Sequence, residues 1–315
     1  MTKENDNQNF TSNNFKIEPT ISPVIAAVIS LIIVFILYQF GGGLLHLLIF
    51  GLDLKDANMN ALRLFTAAGQ LLFILVPTII FAKVVYFDIT PILRIKKPNW
   101  KEILIFILGL GIIIPLIQNF IIVQNYLIQQ LATVSSFFNS LKLLFDTMDG
   151  FLAGAYGDIL TTSSIFEMIL VILVVAVVPG VCEEIFFRGF VQKSFEFSIK
   201  PLWAIIISSL VFSLYHFNPY GFLALIILAS YFGFAAYLSN SIVIPIVLHF
   251  IHNLISIIVY FFEGSEELLN TAIVTHEEFQ FNTISLVLLT IIFFIFLFLV
   301  KKYYNRLSNI NEEAL

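Results

Sequence analysis

The stretch SIFEMILVILVVAVVPGVCEEIFFRGFVQKSFEF, residues 164–197, decides how the chain is read. Its centre, ILVILVVAVV at 169–178, is unbroken apolar sequence, and the whole is longer than the roughly 20 residues a helix needs to cross about 30 Å of hydrocarbon. A soluble protein could bury one such run. This one cannot be soluble, because 59% of its 315 residues are hydrophobic and only 12% are charged, against roughly 25% charged in an ordinary soluble domain. The bilayer is therefore the solvent, as the mean hydropathy of +0.96 agrees. A net charge of −5 offers no basic field for a polyphosphate, so nucleic acid is not an expected partner. No GxxxxGK or GxGxxG segment cradles a nucleotide. The single cysteine, Cys182, can form neither an internal disulfide nor a CxxC site.

Outward from this stretch, seven further runs are long and apolar enough to span: about 22–50, 61–87, 102–131, 201–217, 221–239, 241–262 and 282–300. The fold expected is all-α, a polytopic transmembrane helical bundle of about eight spans. The first 20 residues are polar and Asn-rich, and the run after them is too long for a signal-peptide core, so it reads as a retained anchor. Four regions follow: a polar cytoplasmic tail at 1–21, N-terminal membrane helices with an acidic outer loop at 22–163, a core at 164–262, and 263–315 with an acidic outer loop, the last span and a basic tail. Basic residues stay on the cytoplasmic side. With the N-terminus inside, 13 of the 16 lysines and arginines lie inside, and only Lys55, Arg63 and Lys142 lie outside. Acidic groups mark the outer loops: Asp53 with Asp56, Asp146 with Asp149 and Asp158, and Glu263 to Glu278. Both termini are thus expected in the cytoplasm. Residues 132–163 fit a loop, a lid or an interfacial helix. Kinks are expected at Pro77, Pro115, Pro179, Pro245 and the glycines 41–43.

Ionisable groups inside a membrane are costly, which makes them functional candidates. Glu183, Glu184 and Arg188 interrupt the 164–197 run. Glu184 and Arg188 stand at i and i+4, one above the other, where they can pair. An ion pair that fixes helix packing accounts for those two and leaves Glu183 without a partner. His216 closes the run LVFSLYH, while His249 and Asn253 share a face of SIVIPIVLHFIHNL, with His252 on a neighbouring face. At 1.5 Å per residue, Glu183 and His216 lie roughly 20 Å from their inner helix ends, His249 about 12 Å and Asn253 about 18 Å. Their depths overlap. A carboxylate and an imidazole at one level can activate water for attack on a carbonyl, with His249 and Asn253 as donors to the developing oxyanion. The same ligand types could instead hold zinc.

EEIFFR fits the pattern EExxxR, FSLYH fits FxxxH and HFIHN fits HxxxN, in order on successive spans. Over about 164–262 the chain resembles the CPBP family of intramembrane endopeptidases, the CAAX prenyl protease type II and bacteriocin-processing (Abi) group. The resemblance implies an intramembrane protease in which Glu183 and His216 activate water, His249 and Asn253 form the oxyanion site, and Glu184 and Arg188 play supporting roles. It implies a peptide or protein substrate in or at the membrane. No cofactor is expected, although older family naming treats these enzymes as metalloproteases and zinc stays open. The expected location is the plasma (inner) membrane of a bacterium. A non-catalytic immunity or scaffold protein of the same fold, and a zinc-dependent protease, stand as alternatives. The first 160 residues carry no motif of the family.

Overall fold

The computed structural model describes residues 19–51, 58–264 and 273–313. The expected tail at 1–18, the Asp53 and Asp56 pair with Lys55, and residues 265–272 of the acidic loop lie outside them. Among the described residues there are nine helices and no strand. They are α1 (Pro23–Phe50), α2 (Met59–Tyr86), α3 (Trp100–Val134), α4 (Ser136–Leu160), α5 (Ile165–Glu196), α6 (Pro201–Tyr215), α7 (Phe222–Ser239), α8 (Val243–Glu263) and α9 (His276–Glu313). All but α4 and α6 are long and apolar enough to cross a membrane. The chain is an integral membrane protein. α6 is apolar but only 15 residues long, about 22 Å at helical rise, so its C-terminal end at His216 falls inside the bundle. The undecided segment 132–163 is the helix α4, packed against α3 and α2.

Local chemistry sets the helix ends. Asn58 accepts from the Asn60 and Ala61 amides at 3.0 and 3.2 Å, and Asn99 and Glu102 form a reciprocal capping box at the start of α3. Pro201 opens α6 at a position whose N–H has no intrahelical acceptor. Asn240 ends α7 in the left-handed conformation, φ 48°.

Lipid tails are as apolar as leucine, so helices associate in a bilayer through close packing and internal hydrogen bonds. Two apolar clusters divide the bundle, and α5 and α7 stand between them. One joins α1, α2, α5 and α6 around Ala27, Val34, Ala82, Phe186, Phe190 and Phe212. The other joins α3, α7, α8 and α9 around Phe106, Leu110, Phe232, Leu248 and Phe293. Small residues allow the tightest approaches: a Cβ on Gly233 would stand 2.7 Å from the Gln192 side chain, and one on Gly180 3.4 Å from the backbone of α8. The large exposed side chains of α9, among them Ile284, Leu288, Ile291 and Ile295, face lipid.

Two of the expected kinks take a specific form. α2 and α5 each contain a π-helical turn, Leu71–Leu75 and Ile172–Val177, that ends two residues before a proline. Proline cannot donate to the carbonyl four residues back, and a widened turn absorbs the mismatch. A third π-helical turn, Ile36–Gly42, runs into the triple glycine, and a fourth, Ile185–Val191, follows directly on Glu184.

Candidate active site

The four-residue spacing of polar groups on α5 builds a ladder. Arg188 and Gln192 reach carbonyls of α7, and Glu184 and Glu196 pair with them along the helix. Arg188 Nη1 donates to Glu184 Oε1 at 2.8 Å and Nη2 to the Ala229 carbonyl at 3.2 Å. Its guanidinium carbon lies 4.6 Å from the ring centre of Phe212 and 5.7 Å from that of Phe232, which adds cation–π attraction in a dry setting. Gln192 donates to the Gly233 carbonyl and to Glu196. Arg94, from the loop after α2, completes the ladder by donating to the Arg188 and Ala236 carbonyls and to Glu196 at 2.5 Å. A positive φ of 52° at Arg94 is part of this inward turn of the loop. Burial pulls the Arg94 guanidinium below its ordinary pKa and the Glu196 charge opposes that.

Glu184 is fully buried, and its Oε1 also meets His249 Nδ1 at 2.7 Å. An ionised carboxylate only accepts, so Nδ1 carries the hydrogen and Nε2 is the nitrogen left free. The expected pairing of Glu184 with Arg188 is present, and His249 of α8 joins it. Phe212 packs beneath both imidazoles, with ring centres 4.5 Å from His216 and 6.2 Å from His249. His216 stands at the end of α6 with Nδ1 2.9 Å from the Phe212 carbonyl. A carbonyl accepts, so here too Nε2 is free to take a proton.

Glu183 is the carboxylate left over. Among the described residues it makes no hydrogen bond, and its Oε2 is buried without a partner. No direct bond joins it to His216. His252 also keeps a buried, unpartnered Nδ1. Asn253 donates through Nδ2 to the Val175 carbonyl at 2.9 Å. The cause lies in the sequence, because Pro179 has no N–H to offer Val175, its acceptor four residues back. One Asn253 donor thus holds α8 to α5, and a second N–H remains. Asn253→Leu is expected to cost about 1–3 kcal/mol by orphaning this carbonyl. In a Pro179→Ala background, where residue 179 can donate again, the same change should cost less than half as much; thermal unfolding in detergent measures both. Equal costs in the two backgrounds would separate Asn253 from Pro179.

Residues 165–255 match the family described as Type II CAAX prenyl endopeptidase, Rce1-like. Over these residues the chain is similar to that family. No curated protein and no solved structure matches the chain. The matched stretch covers α5 to most of α8, and it contains Glu183, Glu184, Arg188, His216, His249 and Asn253. The match supports the fold of a CAAX-type membrane protease. Sequence reading overlooked Gln192 and Glu196, although their four-residue register with Glu184 and Arg188 was available. Arg94 was counted only as a cytoplasmic charge. Nothing local to residue 94 marks it as a buried clamp.

Proposed function

We propose that the protein is an intramembrane endopeptidase of the glutamate type, in which Glu183 and His216 activate water against a peptide carbonyl. The supporting observation is the division of labour between adjacent carboxylates. Glu184 is held by Arg188 and His249, whereas Glu183 makes no hydrogen bond among the described residues and is left to act on a substrate. His216, with its hydrogen on Nδ1, presents Nε2 as the acceptor for the water proton and then returns that proton to the leaving amine. His249, held through Nδ1 by Glu184, donates from Nε2 when protonated, and the second Asn253 N–H adds another donor for the oxyanion. Arg188 and Glu184 position His249.

The reaction in this reading needs no metal. Zinc takes carboxylate oxygens and imidazole nitrogens as ligands, but Glu184 Oε1 already receives both Arg188 and His249 Nδ1. A guanidinium on the same oxygen opposes a cation there. No group of three His, Cys, Asp or Glu among the described residues is arranged to hold a metal ion. With the termini in the cytoplasm, the substrate is a membrane-associated or CAAX-like protein.

The test is a comparison of the C-terminal peptides of membrane proteins from cells carrying the wild type and Glu183→Gln. Peptides truncated only with the wild type are the expected result. Identical peptide sets would remove the peptidase reading and favour a non-catalytic role of the same fold.

A further inference from the structure

The half of the chain outside the family match also reaches Glu183. Gln70, at the end of the first stretch of α2, is 6% exposed and its Oε1 has no partner. It lies beside the phenol of Tyr38, carried by the π-helical turn of α1. The charge of Glu183 acts on Tyr38 and on Tyr156 of α4, and the Tyr156 phenol acts on Tyr38. Tyr156 is 47% exposed. Burial first and the Glu183 carboxylate second push its pKa up, which keeps it a hydroxyl donor. The Gln70 NH2 donates to the Tyr38 phenol oxygen, which leaves Gln70 Oε1 and the Tyr38 O–H unused, and among the described residues Tyr156 makes no side-chain hydrogen bond of the kind that secures Tyr86, Tyr220 and Tyr231.

Packing explains the convergence. α2 lies against the π-helical turn of α1, against α5 next to Glu183, and against α4. Gln39, the neighbour of Tyr38, donates to the Tyr215 carbonyl at 3.2 Å, one residue before His216. α4 is tied down at both ends of its C-terminal half: Tyr220 donates to Asp146 at 2.5 Å, and the buried Arg63 donates to the Ile159 carbonyl at 2.9 Å and to that of Thr161. Tyr156 is therefore held in place rather than carried on a free loop.

An unpartnered buried polar group costs about 1–3 kcal/mol, and water to relieve it is scarce at membrane depth. Gln70 Oε1 and Glu183 Oε2 are both such groups, and the polar side chains that α1, α2 and α4 bring to this carboxylate match a polar ligand. We propose that Tyr38, Gln70 and Tyr156 hydrogen-bond the backbone of an extended peptide substrate and hold it against Glu183. The chemistry fits a peptide group: the glutamine amide offers a carbonyl to a peptide N–H and an NH2 to a peptide C=O, while each phenol donates to a carbonyl. This subsite rests on the peptidase reading above and gives the helices outside the family match a part in recognition.

The experiment uses a synthetic peptide spanning a cleavage site found in the C-terminal comparison. Its Kd is measured on full-length Glu183→Gln protein in detergent, alone and combined with Tyr38→Phe, Gln70→Leu or Tyr156→Phe. Each addition is expected to weaken binding several-fold to about tenfold, the scale of one lost hydrogen bond. The unfolding temperature of each variant is read alongside and is expected to change little. A structural role would lower that temperature. Unchanged Kd values in all three, or weaker binding that tracks a lowered unfolding temperature, would overturn the subsite. Cleavage by Glu183→Gln at the wild-type rate would instead overturn the peptidase reading, so the two failures are distinguishable.

Discussion

Glu184→Ala is expected to lose about 3–5 kcal/mol of folding stability in detergent, while Glu183→Ala, one residue away, loses almost none. Removing one member of a buried ion pair strands the other charge, and that loss falls in the 3–5 kcal/mol range. Without Glu184, the Arg188 guanidinium keeps only the Ala229 carbonyl and two aromatic faces, and His249 Nδ1 loses its acceptor. Glu183 has no comparable bonds to lose. Removing a carboxylate whose Oε2 is buried and unpartnered relieves a desolvation cost instead. The double change Glu184→Met with Arg188→Met should cost less than the two single changes added together, since no lone charge remains. Chemical unfolding followed by tryptophan fluorescence reads the wild type and all five variants. A Glu184→Ala protein within about 1 kcal/mol of wild type would show that the pair is not what holds α5, α7 and α8 together.

The sequence made the spans legible for a physical reason: a bilayer leaves a run of about 20 apolar residues little else to be. All eight expected spans are helices, and their ends differ from expectation by a few residues except in α9, which continues well beyond 282–300. The site was legible where local spacing carries the interaction. Glu184 and Arg188 pair at i and i+4 as read, since helical geometry leaves such neighbours within reach. Partners set by tertiary packing were not legible. Nothing in HFIHN announces that His249 turns Nδ1 to Glu184 or that Asn253 answers the carbonyl freed by Pro179.

The N-terminal half shows the same limit more sharply. Tyr38, Gln70 and Tyr156 are separated from Glu183 by up to 145 positions and share no periodicity with it. Only the packing of α1 and α4 around α2 places their polar ends near one carboxylate. Arg63 and Arg94 belong to the same class: each is a basic residue near a span boundary, where solvent exposure is the ordinary expectation, yet each is 1% exposed and bonded to backbone carbonyls. Charge counting reads such residues for topology. It cannot reveal that two of them clamp helices.

Glu183→Gln and His216→Ala are each expected to lower kcat at least about 10³-fold on a peptide that the wild type cuts, within the 10²–10⁴-fold range of a positioned acid–base group. KM should change little, because neither group binds the substrate ground state in this mechanism. The double variant should be no slower than either single one. A water activated jointly by both groups is lost once either is removed, so their effects do not add. Independent roles would multiply, and the double variant would then fall toward 10⁶-fold below wild type. The wild-type rate should survive prolonged exposure to a strong chelator, since the Glu184 oxygen that faces His249 is already occupied by Arg188. A chelator that abolishes cleavage, with recovery on stoichiometric zinc, would transfer the water from the Glu183 and His216 pair to a metal. Retention of more than about a tenth of kcat in either single variant would remove that residue from the chemistry, on the scale expected of such a group.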